Sequence, residues 1–197
     1  MHAGAPMRAL LTALDAWVRD GREPPPSRVP LRQTGTLVEA ADAVPAIPGL
    51  FYAAIHTVAA RMDQTRLPAI EIGRYPVFVP RADQDGMAIG GIRVPLLDAP
   101  RASYTGWNPR VEGYGPGTLY PLQGGVLPFA PTRAARDEAR DPRLSLEERY
   151  PTPAAYLSAV RDTAQRLLAD RLLLAEDVAA IMNAAEAGTL DRSALMR

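Results

Sequence analysis

Twenty prolines set the outline of this chain. A proline ring fixes φ, removes a backbone donor and clashes with the preceding turn, so helix interiors and central strands exclude it. Most of these prolines lie between Pro24 and Pro153, so much of the middle of the chain must be loop, turn or edge. Fifteen glycines reinforce that reading.

The proline-poor ends read differently. Met7, Leu10, Leu11, Leu14, Trp17 and Val18 recur at three- and four-residue steps, which predicts an amphipathic helix over 7–20. Gly21 stops it, and the following "EPPPSRVP" favours a stiff, extended linker. In "AVPAIPGLFYAAIHTVAARM", Ile55, Val58 and Met62 fit one face of a short helix. "YPVFVPRADQDGMAIGGIRVP" reads as a β-hairpin at about 75–95, turning at "DQDG" and kept short by Pro76, Pro80 and Pro95. Arg101 to Pro131 is rich in Gly, Pro and Tyr and reads as an ordered, packed loop region.

The last third is helical. Thr132 caps "RAARDEAR", Ser145 and Glu148 form a capping box, and Thr152 with Pro153 opens a long helix. Leu157, Val160, Ala164, Leu167, Leu168 and Leu172 form that helix's apolar stripe. Val178, Ile181, Met182 and Ala185 form the stripe of the next, which ends at Gly188. A short connection makes the two an αα-hairpin. The predicted fold class is α+β, mostly helical, with one β-hairpin and long Pro/Gly-rich ordered loops. Three segments are expected: 1–23, a helix; 24–131, a Pro/Gly-rich extension; and 132–197, a helical C-terminal region.

Composition removes several functions. The 22 basic and 22 acidic residues cancel, and no basic run is present, so a nucleic-acid partner is not expected. Every basic residue is arginine, which codon bias in a GC-rich genome explains. With no cysteine and two distant histidines, His2 and His56, the usual zinc spacings cannot be met, and neither metal nor cofactor is expected. No apolar run reaches the roughly 18 residues of a membrane span. Asp15, Arg19 and Asp20 interrupt the N-terminal apolar residues at helical spacing, unlike a signal peptide. A soluble chain is expected; its compartment is left open.

A catalytic constellation is hard to assemble. The serines, at 27, 103, 145, 158 and 193, include none in a Gly-x-Ser-x-Gly elbow. Pairing Ser103 with His56 is the least supported reading, because His56 has no acid nearby in sequence. "DQDG" matches part of a calcium loop but lacks its third ligand and closing glutamate. Gly124 and Gly125 precede a helix as a phosphate cradle does, yet no lysine follows. "EERY" and "RDEARD" read as solvated ion pairs. The richest stretch is "ASYTGWNPR", whose Tyr104, Thr105, Trp107, Asn108 and Arg110 suit either a binding pocket or an inward-packed turn. No catalytic residue is assigned.

"RALLTALDAWVRDGREPPPSRVP", "ASYTGWNPR" and "DPRLSLEERYPTPAAYLSAVRDTAQRLLADRLLLAEDV" together resemble the C-terminal region of a family of large bacterial α/β-hydrolase domain proteins of esterase type. The resemblance covers nearly the whole chain. It implies that the nucleophile, acid and histidine of the triad lie upstream of the helix beginning near Met7. It also implies that helix 7–20 is a C-terminal helix of a hydrolase core and that the rest is an extension packed on that core. The expected partner is then a hydrolase core, or a second copy joined through helix 7–20. An independent small-molecule or protein-binding module is the alternative.

Overall fold

The computed structural model describes residues 3–52, 58–110, 112–115, 118–120 and 123–191. The first helix, α1, runs Gly4–Asp20. The middle follows as β1 (Leu37–Glu39), β2 (Ala60–Asp63), β3 (Ile70–Arg74), β4 (Phe78–Pro80), the single turn α2 (Pro95–Asp98) and β5 (Ala102–Tyr104). Then come β6 (Asn108–Pro109), β7 (Leu119–Tyr120) and β8 (Val126–Pro128). The helical end comprises α3 (Arg133–Ala139), α4 (Leu146–Arg149), α5 (Pro153–Ala169) and α6 (Ala175–Glu186). The class is mixed α+β, and no sheet of the described residues exceeds two strands.

The contacts divide the chain into two compact units: Met1–Val29 with Gly91–Ser103 and Leu127–Arg197, and Pro30–Gly90 with Tyr104–Val126. In the first unit, α5 and α6 pack as the predicted hairpin. Leu167 near the end of α5 shares a cluster with Val178 early in α6, while Val160 in mid-α5 meets Ala185 late in α6, so the two helices run in opposite directions. Val160, Ala164, Leu167, Leu172 and Leu173 are the most deeply buried aliphatic residues of this core. The caps form as the residue types require: Thr132 Oγ1 accepts from Ala135 N at 3.2 Å, and Thr152 Oγ1 from Ala155 N at 3.1 Å. At α4, Ser145 Oγ accepts from Glu148 N (3.3 Å) while Glu148 Oε2 accepts from Ser145 N (3.0 Å).

α1 is the amphipathic helix that its spacing predicts, and it buries its small residues rather than its large ones. Pro6, Ala9 and Ala13 are its buried residues, and Ala5 and Leu10 pack against the α5–α6 core. Met7, Leu11, Leu14, Trp17 and Val18, most of the predicted apolar stripe, are exposed, from 48% for Leu14 to 77% for Val18. The small side chains of this face cover only part of the α5–α6 core and leave a groove beside it. Polar clamps fix that orientation. Arg8 pairs with Asp177 in the first turn of α6, Arg28 pairs with Asp170, and Arg171 donates to Glu23 O at 2.8 Å. Gly21, at φ 67°, ends the helix by donating to Trp17 O.

"DPRLSLEERY" forms the other anchor of this unit. Arg143 is buried, and its guanidinium grips Asp141 through Nε–Oδ1 (2.9 Å) and Nη2–Oδ2 (2.6 Å). Nη1 donates to Ser103 Oγ (2.8 Å) and to Leu127 O (3.0 Å). Phe129 lies between two guanidinium groups, with Arg143 at 5.0 Å and Arg149 at 4.3 Å from its ring centre. Burial pushes the Asp141 carboxyl up, but the hydrogen bonds from Arg143 outweigh it and leave the group below the usual range.

In the second unit, β1 pairs antiparallel with β4 and β2 with β3. The hairpin expected at about 75–95 takes a different form. β4 bonds to β1, and a short antiparallel hairpin forms at the "DQDG" turn itself, through the Ala82–Ala88 bridge and the bonds Asp83 N to Met87 O (2.8 Å) and Ile89 N to Arg81 O (2.9 Å). Pro80 ends the strand, and Asp83 Oδ1 tightens the turn by accepting from Asp85 N (2.9 Å) and Met87 N (3.0 Å). A longer hairpin lies at 60–74, where the expected short helix gives way at Met62 to β2. Ile55 and His56 lie outside the described residues.

Replacing Arg143 by Met leaves Asp141, Ser103 Oγ and Leu127 O without their donor. A loss of about 3–5 kcal/mol is expected, read by urea denaturation at pH 7. The folded pKa of Asp141 is depressed, so its stabilisation is present above the unfolded value of about 3.9 and is lost as pH falls through the lower folded value. Acidification should therefore narrow the gap between the native chain and Arg143→Met.

Candidate functional site

The "ASYTGWNPR" stretch begins in β5, whose three residues are all buried, and leaves it in a tight turn. Thr105 is the pivot. Its backbone N donates to Gly125 O (3.0 Å), and its hydroxyl donates to Trp107 O (2.5 Å) while accepting from Gly125 N (2.9 Å). Gly125 N also donates to Trp107 O at 3.0 Å. The glycine pair that resembles a phosphate cradle is explained by this contact. A Cβ on Gly124 would stand 2.1 Å from Thr105 O, and one on Gly125 would stand 2.8 Å from Thr105 Oγ1. These positions carry glycine because two backbones meet there.

Trp107 is half-buried. Its indole meets Tyr52 edge-to-face at 5.5 Å, and Nε1 donates to Phe51 O at 2.9 Å. Burial pushes the Tyr52 hydroxyl above its ordinary pKa. Asn108 enters β6, pairing with Tyr120 of β7, and Arg110 stacks over the Tyr120 ring at 5.8 Å. The structure thus brings Thr105 and Trp107 into one hydrogen-bonded turn, places Asn108 and Arg110 on the adjoining ribbon, and buries Tyr104 in β5. The polar atoms that give this loop its binding character, the Thr105 hydroxyl and the indole N–H, are both engaged by backbone carbonyls.

The remaining candidates resolve into structural roles. Ser103 is fully buried, with its hydroxyl held by Arg143, so the Ser103–His56 reading loses its nucleophile. His56 and His2 lie outside the described residues. The acidic and basic residues of "RDEARD" and "EERY" form ion pairs, Arg136 bonding Asp137 at 2.7 Å and Glu148 at 3.0 Å. Among the described residues no three His, Cys, Asp or Glu side chains gather as a metal site. No helix of the described residues is long and apolar enough to cross a membrane.

A family model described as an alpha/beta hydrolase domain matches residues 1–183. The chain therefore belongs to the alpha/beta hydrolase domain family. No curated protein and no solved structure matches it.

The close approach at Gly124 gives a direct test of the turn. Gly124→Ala, in a Trp17→Phe background so that Trp107 alone reports, should cost about 3 kcal/mol in a denaturant melt followed by indole fluorescence. A change below about 0.5 kcal/mol, the scale of an ordinary surface substitution, would show that the backbones are not in contact there.

Proposed function

We propose that this member of the family is the C-terminal portion, or a short homologue, of a carboxylic ester hydrolase-type protein. It acts by packing on a hydrolase core and carries no hydrolytic site of its own. The observation that carries this reading is the outer face of α1. Met7, Leu11, Leu14 and Val18 follow one another at steps of four, three and four, with Trp17 alongside, and all are exposed. A seam with that spacing fits a second packed element. Each such side chain contributes about 1.5–3 kcal/mol on full burial, so five of them form a strong docking surface.

Two further observations support it. The sheets of the described residues are two-stranded, too narrow for the strand-to-helix elbow on which an α/β-hydrolase mounts its serine. Ser103 and Ser145, the serines deepest in the fold, serve a guanidinium and a helix cap. The alternative, an independent module with a ligand site at Tyr104–Arg110, is less well supported, because the Thr105 hydroxyl is spent within the turn and the Trp107 N–H on Phe51 O.

The purified chain should self-associate with rising concentration in sedimentation velocity and should bind an apolar dye. Leu11→Gln/Leu14→Gln/Val18→Gln should abolish both while leaving the circular dichroism spectrum unchanged. A native chain that stays monomeric and dye-free at high concentration contradicts the docking role of α1.

A further inference from the structure

The opposite edge of α1 carries a separate feature, which stands independently of any core packed on the outer face. Ala9, Ala13 and Ala16 of α1 face Leu168, Leu173 and Leu174 at the α5–α6 corner across a half-open groove of about 270 Å³. The groove exists because α1 offers methyl groups where a leucine would fill the space. It is at the small end of ligand cavities. Its walls are held apart by the polar clamps described above, Arg8–Asp177 on one side and Arg28–Asp170 with Arg171–Glu23 O on the other.

Two guanidinium groups, Arg22 and Arg171, complete the lining. Arg171 is anchored through its bond to Glu23 O. Arg22 makes no ion pair or hydrogen bond through its side chain among the described residues. Of the carboxylates at the α5–α6 corner, Asp170 pairs with Arg28 and Asp177 pairs with Arg8 through Oδ1, while Asp177 Oδ2 is buried without a hydrogen-bond partner. An apolar trough lined by two guanidinium groups, one of them without an ion pair among the described residues, suits a small anion with an apolar tail.

We propose that this groove binds a short- or medium-chain carboxylate, its acyl chain laid between the alanines of α1 and Leu168, Leu173 and Leu174, its carboxylate on Arg22 and Arg171. Guanidinium and carboxylate match in geometry as well as charge, so the head group is read by paired hydrogen bonds.

The test is titration calorimetry of the full chain with octanoate below its micelle concentration, beside 1-octanol, which keeps the tail, and acetate, which keeps the charge. Octanoate should bind, and the other two should bind at least about tenfold more weakly, the loss expected for one charge-assisted contact or for the buried chain. Ala16→Leu should fill the trough and abolish binding. Arg22→Gln, which removes no existing contact, should weaken octanoate about tenfold and leave 1-octanol unaffected. Octanol binding as tightly as octanoate, unchanged binding in Ala16→Leu, or no octanoate binding at all would each overturn the proposal.

Discussion

The guanidinium of Arg143 ties the helical unit together. It joins three stretches distant in sequence: Asp141 beside it, Ser103 at the end of β5, and the carbonyl of Leu127 in β8. A buried guanidinium is tolerable only when its donors are matched and a carboxylate compensates its charge. Each of those groups would in turn lose a charged donor without it. The helices that follow inherit their position from this node. Ser145 and Glu148 cap α4 two residues later, and Arg149 from α4 also stacks on Phe129.

What was legible in the sequence, and what was not, divides along the range of the interactions. Helix boundaries at Thr132, Ser145, Thr152 and Gly188 were readable because capping is local: the side chain that satisfies an orphan N–H lies within three residues of it. The α5–α6 stripes were readable because both helices bury their apolar faces on each other. Strand pairing was not, since the partner of β4 lies some forty residues upstream in β1 and nothing near Pro80 announces it. Nor was the role of Gly124 and Gly125, which depends on Thr105 arriving from twenty residues away.

The facing of α1 is the most instructive feature. Periodicity identifies an apolar face, but not what covers it. Here the alanine face takes the available contact and the large residues are left outward, as if addressed to a second surface. That arrangement gives one helix two uses. Its inner edge, too small to fill the space beside the α5–α6 corner, leaves a clamped trough; its outer face offers the seam by which the chain would join a hydrolase core. In the aromatic loop at Tyr104–Arg110, the most chemical-looking stretch of the sequence, the Thr105 hydroxyl and the Trp107 N–H are both held by backbone groups.

The most direct measurement is turnover of a short-chain p-nitrophenyl ester by the purified chain, run beside a serine-directed phosphonate label. No turnover and no labelled serine is the result expected under the proposed function, in which the hydrolytic site lies on a separate core. Turnover with one stoichiometrically labelled serine would contradict it, and the labelled residue would name the nucleophile.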